Sequence, residues 1–120
     1  MDRKTLRELL KQNLAAAVSK KTGADYVFEY RFAAPERQWR SDIAFPAAKV
    51  AVEIDGGIWT YGRHNRAASM LDDMEKGNGY AARNWVVSHT PWEWIDGGRR
   101  DRSAQLIADI AAAIKARAVA

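Results

Sequence analysis

A mixed α/β (α+β) domain is the fold class this sequence predicts, with a central sheet flanked by helices in the order α-β-β-β-α-β-α. Three observations carry that expectation. Stretches with helical spacing of apolar residues alternate with stretches of period 2. Three period-2 stretches stand together before the second helix, which suits a mixed sheet rather than a doubly wound parallel one. The chain has 120 residues, 48% apolar and 28% charged, the size and balance of one soluble domain spanning residues 1–120.

Taken in order, residues 3–20 place Leu6, Leu9, Leu10, Leu14, Ala17 and Val18 on a helical stripe, with Asp2 to cap the start and Gly23 just past the end. In "YVFEYRF", residues 26–32, Tyr26, Phe28, Tyr30 and Phe32 alternate with Val27, Glu29 and Arg31, and "APERQ" then turns the chain. "WRSDIAF", residues 39–45, sets Trp39, Ser41, Ile43 and Phe45 against Arg40, Asp42 and Ala44. After Pro46, "KVAVEID", residues 49–55, puts Val50, Val52 and Ile54 on one face and Lys49, Ala51, Glu53 and Asp55 on the other. Residues 67–83 read as a helix with Met70, Met74 and Ala81 roughly on one side, and residues 85–90 as a fourth strand. Residues 102–118 form an added C-terminal helix, with Leu106, Ile107, Ile110 and Ile114 inward. Gly77 and Gly79 weaken the second helix, so they mark close packing on the sheet or an irregular helix.

Composition excludes several chemistries. With no cysteine there is no disulfide, thiolate metal site or cysteine nucleophile, a usage that fits a cytoplasmic protein. The charged start "MDRKTLRELLKQ" lacks the apolar segment of a secretory signal, and no stretch is long and apolar enough for a membrane span. A net charge of +4, from 19 basic and 15 acidic residues, suits a polyanionic partner. No glycine-rich phosphate loop of the nucleotide-binding type is present, so no nucleotide cofactor is expected.

Chemistry concentrates on the polar faces of the first three strands, which carry Glu29, then Asp42, then Glu53 with Asp55. Either this face is simply solvated, or its carboxylates are gathered around a cation that offsets their repulsion. Mg²⁺ takes oxygen ligands of this kind and can activate water for phosphodiester cleavage.

The span "EYRF…WRSDIAFPAAKVAVEIDGG…GRHNR…DMEKGN…NWVV" resembles the PD-(D/E)XK nuclease superfamily, and within it the small very-short-patch-repair-like endonucleases and related phage proteins. The resemblance covers residues 26 to about 90, and the restriction-endonuclease-like αβββαβ core it implies matches the order read from periodicity. It implies a Mg²⁺-dependent DNA endonuclease, with Mn²⁺ able to substitute, acting in DNA repair, recombination or phage DNA processing. Asp42 corresponds to the first acid of the motif and Glu53 to the second, with the backbone carbonyl of Ile54 offered to the metal and Asp55 a further ligand or proton acceptor. The family's motif lysine would stand at position 55, which here is Asp55; a basic group from elsewhere, His64 or Lys76, then takes its role. Glu29 and Asp73 are accessory candidates, and Glu8 could supply the extra acid that some members place in the first helix.

The stretch from Gly56 to Arg66 holds Trp59, Tyr61, Arg63, His64 and Arg66. Arginines neutralise phosphates and aromatic rings stack on bases, so these are the expected DNA contacts. "GGRRDR", residues 97–102, is a second basic cluster. Trp85, Trp92 and Trp94 fit core packing or an interface equally well, and His89, in a strand, reads as structural. A monomer would nick DNA, whereas a homodimer could cut both strands. The competing expectation is a non-catalytic nucleic-acid-binding module on a degenerate nuclease scaffold. A histidine-based nuclease is disfavoured, since the chain has 2 histidines without the accompanying framework.

Overall fold

The computed structural model describes residues 1–55 and 66–118. They form α1 (Arg3–Thr22), β1 (Val27–Tyr30), β2 (Ser41–Phe45), β3 (Val50–Asp55), α2 (Arg66–Ala82), β4 (Val86–Pro91), one 3₁₀ turn (Trp92–Trp94) and α3 (Arg100–Ala118). The sheet runs β1-β2-β3-β4, antiparallel from β1 to β3 and parallel between β3 and β4. Asp2 caps α1 by accepting from the Thr5 N–H, and Gly23 closes it in the left-handed conformation, φ 74. That is the chemistry expected at both ends of a helix. No helix among the described residues is long and apolar enough to cross a membrane.

Helices cover both faces of the sheet. On one side α1 and α3 bring Leu14, Ala15, Val18, Leu106, Ile110 and Ile114 onto Ile43, Phe45, Val50 and Val52. On the other, Tyr80 of α2 joins Phe32, Ala33 and Ala51, with Tyr30, Trp39, Trp85 and Val87 packed around them. Adjacent residues of β3 serve opposite cores, as a pleated strand requires. Trp92 and Trp94 lie against the first core and Trp85 against the second, so all three pack within the fold.

One helix turns an unexpected residue inward, and one expected orientation is corrected. In α2, Met70 and Met74 are 43% and 58% exposed, and Tyr80 is the residue turned inward. Its ring stacks on Phe32 at 3.7 Å between centroids, and its hydroxyl finds buried partners, so α2 docks through an aromatic with a satisfied polar tip. In β2, Ser41 does not share a face with Ile43. It bonds Tyr80 on the α2 side, while Ile43 belongs to the core under α1 and α3. The neighbouring strand changes face at the same level. Glu29 has φ 51, a left-handed backbone uncommon outside glycine, so Phe28 serves one core and Tyr30 the other. With Phe28 opposite Ile43 and Tyr30 opposite Ser41, the twist falls at Asp42.

The two helix glycines now separate. A Cβ at Gly79 would lie 2.5 Å from Trp39, whereas one at Gly77 would meet nothing. Gly79→Ala is therefore expected to lower stability by about 1–3 kcal/mol through overpacking against a stacked indole. Gly77→Ala should raise it by up to about 1 kcal/mol, the helix-propensity gain. Chemical denaturation of the two variants checks the opposite signs.

Candidate active site

The C-terminal halves of β3 and β4, the start of β2 and the middle of α2 enclose a cleft of ≈ 750 Å³ whose charged lining is Asp42, Glu53, Asp55, Asp73, Lys76 and His89. Glu53 is the deepest of these carboxylates, at 8% exposure. Its Oε1 accepts a hydrogen bond from the Tyr80 hydroxyl at 2.8 Å and forms an ion pair with the Lys76 ammonium. Tyr80 and Ser41 hydroxyls lie 2.7 Å apart. Because the single Tyr80 proton goes to Glu53, Ser41 donates to Tyr80. Burial, together with the negative charge of Glu53, pushes the Tyr80 hydroxyl well above the ordinary phenol range and keeps it a donor.

Lys76 stands one turn before Tyr80 on α2, the spacing that puts two side chains on one helix face. Its ammonium also donates to the Arg40 carbonyl at 2.6 Å and lies 5.9 Å from the Tyr80 ring centroid. The lysine is thus pinned between the residue preceding β2 and Glu53 of β3.

Asp42 accepts the Ile54 N–H at 2.7 Å. Burial raises its pKa to about 6, against the lowering effect of that N–H; the charges of Glu53 and Glu29, and a hydrogen bond with Glu53, raise it further. Asp42 and Glu53 are therefore close enough to compete for negative charge. Asp55 stands apart from this pair: its Oδ2 lies 3.0 Å from His89 Nδ1. The His89 pKa is raised first by that hydrogen bond and then, against burial, by the charges of Asp55, Glu53 and Asp73.

Of the residues expected from sequence, the structure brings Asp42, Glu53, Ile54, Asp55, Asp73 and Lys76 to one cleft. It does not gather three carboxylates: among the described residues no three His, Asp or Glu side chains are grouped so as to hold a metal ion. Asp55 is engaged by His89 instead of joining Asp42 and Glu53. Glu29 is likewise elsewhere, paired with Lys11 at 3.3 Å, and reaches Asp42 only through its charge. Trp59, Tyr61, Arg63 and His64 lie outside the described residues, and Arg66 is the first residue of α2.

Three participants go beyond the sequence expectation. Period 2 sets Ser41 on an apolar face, and the helical stripe of α2 leaves Tyr80 out, although the spacing from Lys76 to Tyr80 is a usable signal. His89 reads as structural from its strand alone; the parallel register of β4 on β3 sets it opposite Glu53, and no period-2 pattern shows that. Tyr80→Phe should keep the ring stack but leave buried Ser41 and Glu53 without their shared partner. We expect this variant to lose about 1–3 kcal/mol in denaturant unfolding.

Comparisons with protein-family models, curated proteins and solved structures give no match for this chain.

Proposed function

We propose that this chain is a divalent-cation-dependent DNA endonuclease of the PD-(D/E)XK type, hydrolysing phosphodiester bonds in the cleft between α2 and the ends of β3 and β4. The observation that carries the reading is the inward-facing Asp42–Glu53 pair on adjacent strands, with the Lys76 ammonium fixed on Glu53. The order α1-β1-β2-β3-α2-β4 supports it, being the one the sequence resemblance implies.

The donor set fits a hard cation. Burial is the main cause of the raised Asp42 pKa, and the facing Glu53 charge adds to it; Mg²⁺ is commonly held by one or two carboxylates completed by water and substrate phosphate. Asp42 and Glu53 would hold it, with Mn²⁺ able to substitute. A cation there would supply charge to offset the negative charge that builds on the phosphate oxygens. The chain's own residues do the rest. Tyr80 and Lys76 orient Glu53 through its Oε1, while the Ile54 N–H orients Asp42. Lys76 stands where the ammonium can also face a phosphate oxygen, the task that the motif lysine would otherwise perform. Asp55 holds His89 by Nδ1, so the ring can accept a proton from water at Nε2.

The test is incubation of supercoiled and linear DNA with Mg²⁺, Mn²⁺ or EDTA, alongside calorimetric titration of the metal. Metal binding with cleavage that EDTA abolishes is the expected result. The second reading, a DNA-binding module without catalysis, is favoured by one feature: the motif-lysine position is an aspartate bound to a histidine. Under that reading DNA binds, and neither metal binding nor cleavage is seen.

A further inference from the structure

A second groove, of ≈ 600 Å³, opens beside α1. It is lined by the N-terminal half of that helix and by Trp92, and it shares Asp42 and Ile54 with the active-site cleft. At the groove's inner end the cation is outnumbered by its acids: Lys11, only 7% exposed, is bracketed by Glu8 at 3.5 Å and Glu29 at 3.3 Å. Its outer rim is the reverse. Arg3, Lys4 and Arg7 line it, and among the described residues none of the three has a carboxylate partner. The Arg7 guanidinium lies 4.9 Å from the centroid of the Trp92 ring, which holds a long side chain in place. The positive charge comes from side chains, since Asp2 already caps the first turn of α1.

We infer that this groove is a docking surface for the sugar–phosphate backbone of a nucleic-acid duplex, which runs from the Arg3–Lys4–Arg7 rim past Asp42 into the cleft. The nature of the occupant rests on the nuclease reading; the surface itself rests on geometry and charge. Three such cations along one wall match a polyanion, and the acids at the inner end mark where the rim's hold on phosphate stops. A backbone held on both sides of Asp42 is also seated at an internal bond rather than at a strand end. Sequence-independent phosphate contacts of this kind set affinity and register.

The experiment measures binding of labelled DNA and RNA duplexes of one sequence by fluorescence anisotropy, in EDTA so that no cleavage intervenes. Wild type is compared with Arg3→Glu/Lys4→Glu/Arg7→Glu and with the charge-matched control Lys20→Glu/Lys21→Glu/Lys115→Glu. Acidic residues at positions 3 and 4, in the first turn of α1, favour the helix, and circular dichroism verifies that the groove variant and the control both fold. The groove variant should bind at least about tenfold more weakly. Its salt dependence should become shallower by about 0.9 in log–log slope for each phosphate that the rim no longer neutralises. The control should keep wild-type affinity. That dependence on either duplex supports the assignment. Equal losses in both variants, no loss in the groove variant, or inorganic pyrophosphate binding as tightly as the duplex overturns it. The two readings fail separately. A groove variant that cleaves with unchanged KM and kcat removes the docking surface and leaves the nuclease; wild type that binds through the rim and never cleaves does the reverse.

Discussion

Glu53→Gln should leave the chain folded and reduce metal-dependent DNA cleavage by about 10³-fold or more, equivalent to about 4 kcal/mol of barrier. The substitution keeps the side chain's length and an oxygen able to accept from Tyr80. What it removes is the negative charge that pairs with Lys76 and that would bind a cation beside Asp42. Lys76 retains the Arg40 carbonyl, so α2 stays docked. Initial rates of plasmid nicking in Mg²⁺, with circular dichroism on the same sample, measure the effect. Cleavage within about tenfold of wild type would remove Glu53 from the chemistry, since a residue central to catalysis typically accounts for two or more orders of magnitude.

Asp42→Asn should raise stability at neutral pH while lowering cleavage as Glu53→Gln does. In the folded chain Asp42 holds its proton to about pH 6, against an ordinary value of 3.8. A raised folded pKa means that the group's favourable contribution is complete below the unfolded pKa and is lost as pH rises through the folded one. The wild-type chain without metal therefore loses stability between about pH 4 and pH 6 and stays at the lower level above that. The asparagine does not titrate, so its curve lacks this fall. At pH 7.5 the variant should be the more stable, with about 3 kcal/mol as the ceiling set by the two pKa values. The difference should vanish toward pH 4. Added Mg²⁺ should raise the melting temperature of wild type and not that of Asp42→Asn, because binding to the folded state alone stabilises it. Scanning calorimetry across that pH range, with and without Mg²⁺, gives all four curves. A variant less stable than wild type at pH 7.5 would contradict the burial argument. Stability given up at a buried charge for the sake of chemistry is a familiar trade.

The parts of this molecule that follow one period are legible in its sequence. Leu14 and Val18 on α1, Ile110 and Ile114 on α3, and the alternation of Val50, Ala51 and Val52 on β3 sit where their spacing puts them. Asp42, Glu53 and Lys76 stand out as candidates because strand and helix spacing each put a charged group on a definite face. What escapes depends on how elements meet. The place of His89 opposite Glu53 follows from the parallel register of β3 and β4, to which neither strand's own pattern refers. Ser41 falls on the other face from the one period 2 gives it, and the change of face in β2 lies opposite the left-handed Glu29 of another strand, which β2's own pattern does not contain. Tyr80 escapes a reading of α2 by its apolar residues, since a phenol that satisfies two buried oxygens outweighs two exposed methionines.

The left-handed residue in β1 has a consequence at the edge of the sheet. Among the described strands β1 is an outer edge with β2 as its partner, and such an edge offers a row of free N–H and C=O groups to any extended chain. A strand only 4 residues long, turned about its axis at Glu29, offers no straight row. The charge of Glu29 adds a further deterrent on the same strand. The turn at Glu29 thus also guards the sheet edge against self-association.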